Sequence, residues 1–445
     1  MKQIREDKMK QRNRISGFVR FLILTLIFLS AVMLPAACGQ GKNGKIPKDE
    51  GYLAGTDSQY FSRNTIQETE KGVFTVHKQF VYFMDNGTGE IYPVCSRTNC
   101  LHDKETDPEK RKECLAYLEQ SSELFDELTT LMLYQDSLYA GFDLNGVIDK
   151  NSPVMEKFPG LVNPYVFYRI KTDGSARDLF HAEGGVEKCI QHRGYLYYWT
   201  DSHQVLDENG KISLSTSLGL YRLDLNAAFP KAELIYEPEA QGRPGLTAGE
   251  LKAFGNYVFF SDNFSVNNEP KSDSFAFNIH DRSLTDLNAA GYQLPDNLYY
   301  EGCWYSRMAI PEGDGYVYTI ARTDWKHSEA EPVITGISRF EWPVSDGKYL
   351  YVHNYVEKIF SDDPSFPVTF KVYDKDMKPV DEFRLPEKKD SWKWNPNAPD
   401  IGGEKYLYFT WQDDESQEWG IGRMDKSRIG NLKGAEIETE LITYR

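Results

Sequence analysis

The stretch Gly194-Tyr195-Leu196-Tyr197 decides the fold, because a short pattern of this kind recurs along the chain. An aromatic or small residue is followed by an aliphatic residue and then by an aromatic one. The other copies are Phe80-Val81-Tyr82, Ser137-Leu138-Tyr139, Tyr257-Val258-Phe259, Tyr316-Val317-Tyr318, Tyr349-Leu350-Tyr351 and Tyr406-Leu407-Tyr408. Their central aliphatic residues are separated by 57, 58, 62, 59, 33 and 57 positions. Such a recurrence predicts a repeat of one supersecondary unit.

Further strands follow most copies of this motif. Tyr165–Lys171, Leu218–Leu225 and Val368–Asp374 alternate apolar and polar residues, and Ala232–Tyr236 adds a third strand to its unit. Alternation bounded by turn residues is typical of half-buried strands. Units of three to four antiparallel strands that must pack on one another predict an all-β fold, a β-propeller over residues 70–445. We expect seven blades, with six or eight as alternatives because of the 33-residue gap. A pair of β-sandwiches is the rival fold.

The composition agrees with a β-rich globular protein and limits the class of partner. The 445 residues are 40% hydrophobic and 14% aromatic, which is too apolar for a disordered chain and favours strands. The formal net charge is −16, whereas nucleic-acid binding needs a basic surface. We therefore expect no nucleic-acid partner.

The N-terminus has the layout of a secretory signal. Six basic residues in the first fourteen precede the apolar run Phe21–Leu34, which ends at Ala36-Ala37-Cys38. The run is short for a permanent membrane helix. A cysteine after two alanines resembles the lipobox of bacterial lipoproteins, although Pro35 stands where that motif usually has leucine. The resemblance implies a signal peptide over residues 1–37 and a lipid-modified, fatty-acylated Cys38; a plain secretory signal or an uncleaved anchor is the alternative.

The segment 38–69 is predicted to be an acylated cysteine followed by a flexible tether. Removal of residues 1–37 takes away seven basic and two acidic residues and leaves a net charge of about −21. An anionic membrane surface repels such a chain, so a lipid anchor has to hold it. We expect the protein on the extracytoplasmic face of the cell membrane.

A second informative stretch contains three cysteines and a histidine: Cys95, Cys100, His102 and Cys114. Three thiols and an imidazole suit a closed tetrahedral zinc site, although the spacing does not match a zinc-finger template. A disulfide with one thiol left over, or three unmodified thiols, are the alternatives. Residues 104–120 are predicted to contain a short helix that begins near Pro108, within an insert over about 95–130 after the first blade. We expect a structural role for this cluster.

Together the repeat, the leader and the cysteine run resemble the β-propeller lipoproteins of Gram-positive anaerobes, of the TolB-like or WD40-like propeller type. The resemblance covers about residues 70–445 and implies a fold more than an activity.

The remaining candidate residues are aromatic and lie between predicted strands. We expect four residues in rim loops, where a tryptophan stacks on a sugar or anchors a peptide: Trp325, His327, Trp392 and Trp394. Packing against a neighbouring blade is the alternative.

No phosphate-binding glycine loop, hydrolase elbow or His-Glu-x-x-His motif occurs in the sequence, and no catalytic residue is predicted. The sequence favours a binding module for an envelope protein, peptide or glycan. An envelope glycan-active hydrolase or lyase is the alternative, and a structural or signalling partner of an envelope complex is the third hypothesis.

Overall fold

The structure is a computed structural model, and the chain divides into two compact units, Met1–Asp49 and Glu50–Arg445. All described residues belong to the second unit. The structure describes residues 53, 56–57, 65–119, 130–144, 153–158, 161–162, 164–200, 203–206, 212–215, 218–238, 247–266, 269–288, 298–300, 303–313, 315–324, 330–354, 367–386, 392–394, 402–413, 419–437 and 440–443.

Strand pairing within these residues gives seven four-stranded antiparallel sheets, here called blades and numbered along the chain. Blade 1 is β1 (Ile66–Glu68), β2 (Gly72–His77), β3 (Phe80–Asp85) and β4 (Ile91–Pro93). Blade 2 is β5 (Thr130–Tyr134), β6 (Ser137–Asp143), β8 (Tyr165–Lys171) and β9 (Arg177–Glu183). Blade 3 is β10 (Val186–His192), β11 (Tyr195–Thr200), β14 (Leu220–Asp224) and β15 (Glu233–Tyr236). Blade 4 is β16 (Thr247–Phe254), β17 (Tyr257–Val266), β18 (Glu269–Asn278) and β19 (Leu284–Asp286).

The remaining blades follow the same order. Blade 5 is β20 (Leu298–Tyr300), β21 (Cys303–Glu312), β22 (Gly315–Asp324) and β23 (Glu331–Ile337). Blade 6 is β24 (Trp342–Ser345), β25 (Leu350–His353), β26 (Thr369–Tyr373) and β27 (Pro379–Arg384). Blade 7 is β28 (Trp392–Trp394), β29 (Tyr406–Asp413), β30 (Trp419–Asp425) and β31 (Glu440–Thr443). A small sheet joins β7 (Leu161–Val162), β12 (His203–Leu206) and β13 (Ile212–Ser215). The predicted β-propeller is confirmed.

The recurring motif packs adjacent blades against each other. In blade 6 the aliphatic Leu350 belongs to the hydrophobic cluster shared with blade 5, and Tyr351 to the cluster shared with blade 7. In blade 7 Leu407 likewise packs towards blade 6, and Tyr408 towards blade 1. Successive strand residues point to opposite faces, so an aliphatic–aromatic pair fills both gaps beside a blade. These side chains are therefore core residues, as the sequence indicated.

The last blade packs on the first. Ile66 and Val73 of blade 1 share a hydrophobic cluster with Tyr408 and Ile421 of blade 7. The Glu68 carboxylate accepts hydrogen bonds from the backbone N–H groups of Glu404, Lys405 and Tyr406, the last two at 3.2 Å. Every pair of neighbouring blades has its own hydrophobic cluster, so the ring is closed by packing and by this carboxylate.

The structure explains the irregular 33-residue spacing of the motif. Val317 lies in β22, the third strand of blade 5, whereas five of the seven copies lie in second strands. The second strand there is β21, and its buried Trp304 follows Val258 by 46 positions and precedes Leu350 by 46. Val81 is likewise in a third strand, β3. The period-2 pattern is the same in both central strands of a blade and cannot tell them apart.

Helices are few and short in the described part of the chain. The short helix predicted within residues 104–120 is α1, which covers Pro108–Lys112, and a 3₁₀ turn covers His102–Lys104. A further helix, α2 (Pro153–Lys157), lies before β7, and a second 3₁₀ turn covers Lys426–Arg428. No helix among the described residues is both long and apolar enough to cross a membrane. The first described strand of blade 1 begins at Ile66.

Candidate metal centre

The insert that carries the cysteine cluster leaves blade 1 at the end of β4. The N–H of Val94 still bonds the carbonyl of Val81 on β3 at 2.9 Å, and the N–H of Cys95 then turns back to the carbonyl of Pro93 at 2.8 Å. A second turn, in which the N–H of Cys100 bonds the carbonyl of Arg97 at 3.4 Å, returns the chain towards Cys95. These two turns bring the thiols of Cys95 and Cys100 close together.

His102 follows in a constrained backbone conformation. Its φ angle is +55°, a left-handed value that costs free energy for a residue with a side chain. The next residue, Asp103, accepts a hydrogen bond from the Tyr82 hydroxyl of β3 at 3.1 Å, which holds this turn against the blade. The histidine ring is thereby directed at the thiols.

Helix α1 returns the chain so that Cys114 reaches the cluster. Asp107 caps the helix by accepting from the N–H of Glu109 at 3.0 Å, and Pro108 is its first residue. The helix ends after Lys112, because the following residues pair with β3. The N–H of Val81 bonds the carbonyl of Ala116 at 2.9 Å, and the N–H of Leu118 bonds the carbonyl of Gln79 at 2.7 Å. The insert therefore completes the outer edge of β3 where β4 stops.

The four side chains converge as the sequence predicted. The ligand atoms of Cys95, Cys100, His102 and Cys114 all lie within 4.8 Å of one another. Cys114 Sγ lies 3.6 Å from His102 Nδ1. Zinc bonds of about 2.3 Å to sulfur and about 2.1 Å to nitrogen, at a tetrahedral angle, require a separation of about 3.6 Å. The donor set fits one zinc ion, and the Cys114–His102 separation matches the distance that such an ion requires.

The surroundings of the thiols differ. Cys114 is only 1% exposed, and burial together with the negative charge of Cys95 raises its pKa well above the usual value. At Cys95 burial also raises the pKa, but hydrogen bonds from the backbone of Arg97 and Leu115 outweigh it and leave the pKa lowered. A divalent cation bound by these residues would stabilise all three cysteines as thiolates. All three sulfurs are free thiols in the structure.

The insert is also fixed to blade 2, which the sequence did not indicate. The N–H and hydroxyl of Ser96 donate to the carbonyl of Gly174, in the β8–β9 turn, at 3.0 and 3.1 Å. Arg177 of β9 donates to the carbonyl of Lys112 at 2.8 Å and to the carbonyl of Tyr117. The cluster therefore belongs to an insert that bridges two blades, although its ligands all come from residues 95–114. A glycine in a hairpin turn carries no sequence signal for such a contact.

The structure describes only some of the other candidate residues. Cys38, Trp325 and His327 lie outside the described residues. Trp392 and Trp394 lie in β28, the first strand of blade 7, so their placement in a rim loop is wrong. Cys189 in β10 is buried, and Cys303 in β21 is half-buried. Among the described histidines, His77, His181, His192 and His353 are buried in strands.

The comparisons with known proteins identify no family. No family model matches the chain, and no curated protein matches it. The propeller domain of the Trilobed protease from Pyrococcus furiosus is 10% identical over 71% of this chain and 98% of its own, with a TM-score of 0.36. An oligogalacturonate lyase in complex with manganese is 10% identical over 83% and 90%, with a TM-score of 0.40. A putative TolB from Agrobacterium tumefaciens is 14% identical over 50% and 76%, with a TM-score of 0.26. The propeller fold follows from the strand pairing of this chain itself.

Proposed function

We propose that this protein is a lipid-anchored, extracytoplasmic β-propeller that acts as a binding module for a protein, peptide or glycan of the cell envelope. The signal-like N-terminal segment that ends at Cys38 supports the lipid anchor and the extracytoplasmic location. The closed ring of blades supports a binding role, because propellers present loops from many blades on one rigid surface.

The observation that carries the proposal is the four-ligand cluster. We infer that Cys95, Cys100, His102 and Cys114 hold one zinc ion. Three sulfurs and one ring nitrogen fill a tetrahedral shell and leave no open position for a substrate or a reactive water. The metal would hold the insert in place against the edge of β3 and the β8–β9 turn. Such a centre builds a surface, which favours a binding module over an enzyme.

Metal content tests the centre directly. The purified full chain is expected to carry about one zinc ion by elemental analysis. Treatment with a chelator should make residues 95–119 the first segment that a protease cuts, because the insert then loses the metal ion that links its four ligands. A mass loss of about two daltons that a reductant restores, without bound metal, would instead assign a disulfide.

A binding screen tests the module. Glycan arrays and pull-downs with the full chain in detergent should recover a specific glycan or envelope protein. Turnover of an envelope glycan by the purified protein would contradict the binding role and establish the alternative, a hydrolase or lyase. Retention of neither glycan nor protein would also count against it.

A further inference from the structure

Leu53, Thr56 and Asp57, which precede blade 1, contact one another and dock on blade 3. The N–H of Asp57 bonds the carbonyl of Leu53 at 3.0 Å, and the N–H of Leu53 bonds Asp57 Oδ2 at 3.0 Å. Asp57 is 5% exposed. At least this part of the predicted tether is therefore packed against the propeller.

Blade 3 supplies two donors to the backbone of this turn. The carbonyl of Thr56 accepts from Gln191 Nε2 at 2.6 Å and from the backbone N–H of Arg193 at 2.6 Å. Gln191 is the last but one residue of β10, and Arg193 starts the tight turn to β11 with a φ angle of +45°. The left-handed turn directs its N–H outward, towards the carbonyl of the docked segment.

The side chain of Asp57 enters a polar site formed by Arg193 and His192. Arg193 Nε lies 2.8 Å from Asp57 Oδ1 and Arg193 Nη2 lies 3.3 Å from Oδ2, the two-point geometry in which a guanidinium binds a carboxylate. The side chains are 8% and 3% exposed. The buried ring of His192 is close by, with Nδ1 3.8 Å from Oδ1.

Blade 4 also holds Arg193 and His192 in place. Asn256 Oδ1 accepts from Arg193 Nη1 at 2.5 Å and from His280 Nε2 at 2.8 Å. His192 Nε2 is 2.7 Å from the carbonyl of Gly255 in the same β16–β17 turn. Donors that neighbouring groups orient in advance lose little entropy when they bind a ligand.

We propose that Gln191, His192 and Arg193, with Arg193 positioned by Asn256, form a binding site for an acidic peptide segment, and that Thr56 and Asp57 occupy this site as an internal ligand. The site recognises a carboxylate side chain together with the carbonyl of the preceding residue. The inference rests on the proposed binding function and names the class of its ligand.

Covalent attachment gives the internal segment a large advantage. A tethered ligand acts at an effective concentration in the millimolar range, so a free peptide of micromolar affinity competes poorly with it. A test therefore has to weaken the internal segment in a chain that is otherwise complete. Asp57→Ala removes the carboxylate, and Asp57→Asn is the isosteric second variant if the first folds poorly by circular dichroism.

The probe is a synthetic peptide of residues 50–60, with a matched peptide in which asparagine replaces the aspartate. The Asp57→Ala chain should bind the acidic peptide about ten-fold or more tightly than the asparagine peptide, and more tightly than the wild-type chain does. Adding Arg193→Gln to the Asp57 variant should abolish the preference. Equal binding of the two peptides, or no binding by either Asp57 variant, would overturn the inference. Recovery of a partner by the wild-type chain would still leave the general binding role intact.

Discussion

Gly174 of blade 2 lies directly against the backbone of Cys95, the first predicted metal ligand. A Cβ added at Gly174 would lie 2.7 Å from the nitrogen and 2.9 Å from the Cα of Cys95. The φ angle of Gly174 is +69°. Both the space and the conformation therefore require glycine here, and the metal insert depends on a turn 60 residues beyond its last ligand.

Gly174→Ala should consequently loosen the insert. The clash adds about 1–3 kcal/mol to the strain of a left-handed alanine, because backbone atoms on both sides have to move. Gly89→Ala is the matched control, since its φ angle is +72° but nothing lies within 4 Å of the added Cβ. Urea unfolding and limited proteolysis measure the difference. Equal losses in the two variants would mean that the contact with Cys95 is not needed.

Cys100→Ser should remove the metal while the propeller stays folded. The substitution deletes one of the four ligands, whereas Cys100 takes no part in the strand pairing of the blades. Cys303→Ser, at a half-buried thiol in blade 5, serves as the control and should keep about one zinc ion per chain. Wild-type zinc should also be released as the pH falls, because thiolates must be deprotonated to bind. Elemental analysis at several pH values checks both expectations; full zinc in the Cys100 variant would exclude this site.

Lys426→Ala should be strongly destabilising. Lys426 Nζ lies 2.8 Å from Asp346 Oδ2, and the two side chains are 3% and 0% exposed. Removing the lysine leaves a buried carboxylate without its cation, which costs about 3–5 kcal/mol. Lys171→Ala breaks a pair with Asp136 at the same distance whose side chains are 39% and 69% exposed, and should cost less than about 1 kcal/mol. Urea unfolding of the two variants provides the comparison.

Acid should destabilise the fold through buried histidines. Burial lowers the pKa of His353 to about 4, so the unfolded chain takes up this proton first as the pH falls. Stability from His353 is complete above about pH 6.5 and is lost between about 6.5 and 4, by up to about 3 kcal/mol. Burial lowers the pKa of His77 to about 3, and its effect has the same sign. In His353→Gln the stability should fall less between pH 7 and 5; an unchanged pH dependence would contradict this assignment.

Cys38→Ala should release the protein from membranes or leave its leader uncleaved. The prediction comes from the layout of the leader, since Cys38 lies outside the described residues. Metabolic labelling with a fatty-acid analogue measures the modification. Equal labelling of the variant and the parent protein would argue against lipid attachment at this cysteine.

The sequence by itself determined the local features of this protein. The recurring aliphatic and aromatic residues predicted the strands, and the residue types at Cys95, Cys100, His102 and Cys114 predicted the side chains that converge. Both are short-range signals, because a strand side chain is directed by its own backbone and all four ligands lie within 20 residues. The short helix within residues 104–120 ends at Lys112, because residues 116–118 pair with β3.

Only the tertiary structure decided which distant residues meet. Ser96 and Gly174 are 78 positions apart, and Asp57 and Arg193 are 136 apart. Neither pair has a periodic or compositional signal, because one hydrogen bond or ion pair depends on how whole blades are stacked. Hydrophobic packing between blades fixes that stacking, and the polar contacts of the insert and of the docked Asp57 follow from it.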